Sequence, residues 1–191
     1  MSGRITFGAL AVVIHDGAVL LVRRRDFPVW VAPGGGLEFG ESPDQAAARE
    51  ALEESGIEIV IDRFVGVYSR QSAQESLDHQ YVYLAHPSGG ELRRSTDETT
   101  DAGFFAPGAL PRETLWWHRM RIADAVAGWT GRTVFQMSGN PFGKSTREDI
   151  AAAIRAGECD GQRVLEQLIV MPPDGVEHVR MAGIRVVRAA A

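Results

Sequence analysis

Residues 33–57 leave this chain few ways to fold. The stretch opens with Pro33-Gly34-Gly35-Gly36, where a proline and three glycines supply no side chains to support a helix or strand, so a loop of wide backbone freedom is expected. Ser42 then offers an N-cap, Pro43 is tolerated at the first helical position, and Gln45 stands where a capping box needs it. The spacing predicts a helix that runs through Ala46-Ala47-Ala48 and Leu52 and stops at Gly56, a residue suited to a left-handed C-terminal position.

Upstream, residues 5–14 are rich in branched apolar side chains, His15-Asp16-Gly17 supplies turn chemistry, and Val19-Leu20-Leu21-Val22 resumes the run, which predicts a β-hairpin. Downstream, residues 57–61, 63–69 and 80–85 read as strands, Gly89-Gly90 as a turn, residues 96–101 as a polar loop, and Gly103-Phe104-Phe105 as a short strand. Residues 116–126 are expected to be helical, with Gly128 close to the end. At 191 residues there is room for one domain of about 100–150 residues and an extension, so a boundary is expected near residues 128–131. The division is therefore residues 1–130 and 131–191, the second part with a strand at 133–137, a helix over about 146–156 and strand-like stretches at 168–171 and 178–187.

The balance of charge narrows the function classes. A formal net charge of -5 argues against a broad electropositive surface for a nucleic acid polymer and suits a chain that gathers carboxylates around a cation. Cys159 is the only cysteine, which excludes an intramolecular disulfide and a cysteine-built zinc site and makes the cytoplasm the expected setting. The apolar run at residues 7–14 is too short for a membrane or secretory segment, so no membrane partner is expected.

Within the predicted helix, Glu50, Glu53 and Glu54 fall three and four residues apart and are expected to converge as an acidic ridge. Such a ridge repels itself unless bases or cations neutralise it, and hard divalent cations such as magnesium take oxygen ligands of this kind. Arg49 lies one turn before Glu53, close enough to orient a carboxylate through a charge-assisted hydrogen bond.

Gly35, Glu41, Arg49, Glu50, Ala51, Glu53, Glu54, Gly56 and Ile57 match every specified position of the Nudix box, G-x5-E-x7-R-E-U-x-E-E-x-G-U with U apolar. The chain resembles the Nudix hydrolases over about residues 5–127. The resemblance implies an α/β fold, an α/β/α sandwich around a mixed β-sheet, here followed by a small C-terminal α+β extension. It implies hydrolysis of a diphosphate bond, by water attack at phosphorus, in a nucleoside diphosphate linked to another group.

Carried over residue by residue, the resemblance makes Glu50, Glu53 and Glu54 metal-binding carboxylates, joined by the carbonyl of Gly34, with Mg2+ or Mn2+ as the cation. The general base is Glu54 on the helix or Glu98 in the later acidic loop, since family members differ on this point. Arg24 follows the second strand, where some members present an arginine to the substrate, and its guanidinium suits phosphate oxygens. Trp30 and Tyr83 have the chemistry to stack on a base, although aromatic residues in strands more often serve the core. The implied partner is a small nucleotide or nucleotide derivative: a nucleotide sugar, ADP-ribose, a modified nucleoside triphosphate or a dinucleoside polyphosphate.

Two other readings compete. Ser138-Gly139-Asn140-Pro141-Phe142-Gly143-Lys144-Ser145 is similar to a phosphate-binding P-loop, but Pro141 removes a cradle N–H, and Ser145 with Glu148 makes an ordinary capping box. The domain could also be catalytically idle or regulatory, with Val164, Leu165, Leu168, Ile169 and Val170 covering the main domain or forming a homodimer interface.

Overall fold

A computed structural model of the protein describes residues 4–72, 76–138, 152–153, 156–157, 164, 166 and 182–185. The expected hairpin is present as β1 (Arg4–His15) and β2 (Ala18–Arg24), joined by Asp16 at φ 48 and Gly17 at φ 77, the two positive values that a tight hairpin turn needs. After β3 (Trp30–Val31), the glycine run departs from its expected loop. Gly34–Gly36 form a strand, β4, antiparallel to β1 with Gly34 opposite Leu10 and Gly35 opposite Ala9. A Cβ on Gly34 would collide with Leu10 Cβ and the Ala9 carbonyl, so the missing side chains are what allow this pairing.

Helix α1 (Pro43–Ser55) has the expected bounds. The Ser42 N–H donates to the Gln45 side chain at 2.9 Å, and Gly56, at φ 75, closes the far end by donating its N–H to the Leu52 carbonyl. The next two expected strands are one, β5 (Ile57–Ser72), carried through Asp62 by register shifts that absorb the broken alternation. Strand β6 (Ser76–Gly90) is longer than expected and includes Pro87, which sits beside a register shift where a missing donor costs little, and Gly89-Gly90, expected as a turn. Strand β7 (Thr99–Phe105) takes in residues 99–101 of the expected loop by pairing with β2. Helix α2 (Trp116–Val126) matches expectation, and β8 (Trp129–Ser138) and β9 (Ala182–Arg185) follow.

The strands form one mixed sheet in the order β3-β2-β1-β6-β5-β8-β9, with β4 also on β1 and β7 also on β2. Pairings β1–β6 and β5–β8 are parallel and β5–β6 is antiparallel. Strand β8 runs through the boundary expected at residues 128–131 and is hydrogen-bonded to β5. Residues 139–151, 159 and 168–171 are outside the described residues, and with them the glycine-rich segment, the start of the expected helix and Cys159.

Both faces of β1 are buried over residues 8–13. Ala9, Ala11 and Val13 pack with Ala46 and Ala47 of α1, whereas Leu10 and Val12 pack with Ile122 and Ala125 of α2. The α1 side is built from small side chains, which lets the helix sit close to the strand that pairs with the glycine run. Trp30 meets Phe105 edge-on at 5.0 Å in the core, and Tyr83 lies 5.4 Å from Phe64. Among the described residues no helix is long and apolar enough to cross a membrane.

At the β5–β8 seam Gly66 stands opposite Arg132, and a Cβ there would run into the Arg132 carbonyl. Gly66→Ala is expected to destabilise the protein by about 1–3 kcal/mol in urea denaturation, the usual cost of overpacking. Gly108→Ala, where an added Cβ meets nothing within 4 Å, serves as the control. Equal midpoints for the two variants would show that β8 does not press on β5.

Candidate active site

Helix α1 carries Glu50 and Glu54 four residues apart, which turns them to nearly the same side, the side packed on β1 and β4. They are 8% and 2% exposed, unusually low for carboxylates. Gly35 explains how Glu50 fits, since a Cβ at that position would overlap its carboxylate. Glu54 accepts the Gly34 N–H at 2.9 Å. The third member comes from elsewhere: one carboxylate oxygen each from Glu50, Glu54 and the exposed Glu98 lie within 4.8 Å of one another.

Glu53, expected beside them, lies outside the group that converges within 4.8 Å and faces Arg49. It stands about 100° round the helix from Glu54, its side chain is 57% exposed, and it pairs with Arg49 at 3.1 Å. Gly34, expected to offer its carbonyl, uses its N–H on Glu54.

Arg49 spans more of the site than the single carboxylate expected of it. Its guanidinium grips both oxygens of Glu41 at 2.8 and 3.0 Å, reaches Glu50 at 2.9 Å and Glu53 at 3.1 Å, and donates to the Gly36 carbonyl at 3.1 Å. The Arg49 hydrogen bonds, aided by the Glu38 N–H, hold Glu41 below the usual carboxylate range. The same carboxylates, Glu41 foremost, raise the pKa of Arg49 against its own desolvation.

Inside the cluster the sign reverses. Burial pushes the Glu50 carboxyl up despite Arg49. Burial also pushes Glu54 up to about 8, with the charges of Glu50 and Glu98 adding to it and the Gly34 N–H and Arg24 opposing it. Arg24 forms a two-pronged pair with Asp26, both bonds 2.8 Å, and lies within electrostatic reach of Glu54 and Glu98. Its partner Asp26 was not anticipated.

Three supporting contacts were also missed by sequence reasoning. The Thr99 hydroxyl donates to the Glu54 carbonyl at 3.0 Å, tying the start of β7 to the end of α1. The Ala32 N–H donates to Nδ1 of His118 on α2 at 3.2 Å, which steadies the approach to Gly34. Arg25 reaches the segment that carries Glu98. Only the run Arg23-Arg24-Arg25 at the end of a strand was visible as a signal.

Known proteins share the fold and part of the sequence. A model of the NUDIX domain matches residues 4–125. A Bacillus subtilis (strain 168) protein provisionally named 8-oxo-dGTP diphosphatase is 37% identical over 107 residues, 56% of this chain and 70% of the relative. An ADP-ribose pyrophosphatase of Methanocaldococcus jannaschii is 31% identical over 53% of this chain and 62% of its own length. The crystal structure of a MutT NUDIX hydrolase from Burkholderia pseudomallei superimposes with a TM-score of 0.57 at 30% identity, covering 63% of this chain and 98% of the other. With the family model spanning more than half its length, the chain belongs to the NUDIX hydrolase family.

Proposed function

We propose that the protein hydrolyses a diphosphate bond in a nucleoside diphosphate linked to another group, with water attacking phosphorus and a divalent cation, Mg2+ or Mn2+, held at Glu50, Glu54 and Glu98. The observation that carries this reading is the convergence of those three carboxylates, two of them buried. Glu54 cannot hold its charge there at neutral pH without help, and its environment offers one N–H and a distant arginine in compensation. A hard cation with oxygen ligands supplies what is missing, so the residues fit the group. Glu53 and the Gly34 carbonyl are the further oxygen donors of the reading.

When bound, the cation neutralises diphosphate charge and acidifies water. Arg49 holds the loop before α1, the helix and two carboxylates as one unit, which keeps the oxygen donors in place without reorganisation during turnover. Arg24 supplies positive charge for phosphate oxygens beside Glu54 and Glu98. The proton acceptor is Glu54 or Glu98. The exposure of Glu98 favours it, because its carboxylate meets solvent, whereas one oxygen of Glu54 is committed to Gly34.

The names of the relatives support a small nucleotide derivative as substrate, with 8-oxo-dGTP and ADP-ribose the first compounds to try. Catalysis is assigned to residues 1–130. Residues 131–191 are assigned to packing, substrate selection or a homodimer contact, a reading favoured by the burial of Ala153 and Val164. The single cysteine supports a cytoplasmic setting.

A panel of ADP-ribose, 8-oxo-dGTP, a nucleotide sugar and a dinucleoside polyphosphate, scored by released phosphate products with Mg2+ and with chelator, tests the reaction. Turnover is expected with Mg2+ and lost with chelator. Glu54→Gln is expected to lower kcat/KM by roughly 100-fold or more. The same variant should unfold at higher denaturant than wild type at pH 8 without metal, because glutamine keeps the Gly34 bond and carries no charge. Equal turnover with cation, with chelator and in the variant would sink this mechanism, and no turnover of any compound with cation would favour the idle or regulatory reading instead.

The pH dependence has a definite sign. The folded protein holds a proton on Glu54 up to about pH 8, whereas an unperturbed glutamate releases it near 4.5. Between those values the folded state binds more protons than the unfolded one, so metal-free stability falls as pH rises, by at most about 1.4 kcal/mol per pH unit. Saturating Mg2+ should remove that slope. Denaturation curves from pH 5 to about pH 8, with and without Mg2+, read the effect, and metal-free stability that is level across the window contradicts the assignment.

A further inference from the structure

Arg24 and Arg25, adjacent at the end of β2, have different partners. Arg24 pairs with Asp26. Arg25 turns to residues 95–99, the segment that carries Glu98. Its Nε donates to the Asp97 carbonyl at 3.1 Å, and its Nη2 lies 2.8 Å from the Thr96 carbonyl, 3.0 Å from the Thr99 carbonyl and 3.1 Å from the Ser95 hydroxyl. The Arg25 N–H donates to the Glu98 carbonyl at 2.9 Å. One residue therefore touches every member of Ser95-Thr96-Asp97-Glu98-Thr99, yet none of these bonds goes to the Glu98 carboxylate.

That pattern separates shape from charge. Three of the four guanidinium acceptors are main-chain carbonyls spaced round a tight bend, which a planar fork can meet together and a lysine ammonium on a flexible stem cannot. The bend has ties of its own, among them the Thr96 N–H and the Ser95 hydroxyl, which donate to the Thr99 carbonyl at 3.1 and 3.2 Å. Thr96 Oγ1 accepts the N–H groups of Glu98 and Thr99, both at 3.2 Å, and Thr99 Oγ1 donates to the Glu54 carbonyl. Ser95, Thr96, Asp97 and Glu98 have no apolar side chain to bury, so hydrogen bonds must supply the order that a hydrophobic anchor would give elsewhere. Repulsion from Glu50 and Glu54 acts to push Glu98 outward, against this clamp.

We propose that Arg25 is the positioning residue for the third carboxylate: its guanidinium is the template on which residues 95–99 close, and so it sets Glu98 beside Glu50 and Glu54. This rests on the catalytic assignment of Glu98 made above. Arg25 contributes geometry, and its charge alone does not replace it.

The full chain carrying Arg25→Ala, Arg25→Lys, Glu98→Ala and the double change Arg25→Ala/Glu98→Ala is compared with wild type by amide hydrogen exchange and by steady-state kinetics on ADP-ribose and 8-oxo-dGTP with Mg2+. The Glu98 and Thr99 amides are expected to exchange roughly tenfold faster in both Arg25 variants, as the loss of the bonds that close the bend implies. For whichever probe is cleaved, kcat should fall by roughly 10- to 100-fold with KM within about twofold, and the double variant should be no slower than Glu98→Ala. Unchanged exchange in Arg25→Ala overturns the proposal, as does wild-type behaviour of Arg25→Lys or additive losses in the double variant. If Glu98→Ala retains full activity while exchange still rises in Arg25→Ala, the clamp stands and the catalytic assignment of Glu98 falls.

Discussion

Arg49 joins three parts of the chain that would otherwise separate: the Gly36 end of β4, Glu41 in the loop before α1, and the carboxylates of the helix. The loop and helix could each form without it. Their mutual placement could not, because Glu41, Glu50 and Glu53 would face one another with no shared counter-ion. A guanidinium suits this position since its donors leave in fixed directions and serve several acceptors at once. The pairing also divides the acidic residues electrostatically: Glu41, bonded by two prongs, is held charged, whereas Glu54, beyond direct reach of Arg49, is left to burial.

The sheet supplies the surface against which this unit is held. Alanines on β1 and α1 bring the helix close, and glycines on β4 let its carboxylates lie against backbone. Small residues thus do for the site what large apolar residues do for the opposite face, where Leu10, Val12, Tyr68 and Ile122 fill the space under α2. His118 links the two faces, reaching from α2 to the Ala32 N–H just before the glycine strand.

Much of this could be read from the sequence because it is local. The limits of α1 follow from Ser42, Gln45 and Gly56, and the hairpin from Asp16-Gly17, all within a turn or two of the features they decide. Residues 34–36 were misread for a physical reason: strand formation there depends on what β1 presents opposite, and glycine carries no preference of its own to announce it. The join of β5 through Asp62 and the extension of β7 back to Thr99 likewise depend on partner strands. In the site, the spacing of Glu50 and Glu54 announces their pairing, but the angle of about 100° between Glu53 and Glu54 is a matter of helix geometry that a motif does not express. Glu98 was singled out by resemblance, whereas the bonds from Arg25 to its segment and from Thr99 to Glu54 each span more than 40 residues of chain and left no local mark.

The parallel pairing of β1 with β6 has a consequence for how the protein comes into being. Ala9 stands beside Tyr81 and Val13 beside Ala85, so β1 pairs on this side with a strand synthesised about 70 residues later. Helix α1, with Glu50 and Glu54, is synthesised before that partner exists and before Thr99 can bind the Glu54 carbonyl. The full cluster needs Glu98, so it cannot be complete before residue 98 has been synthesised.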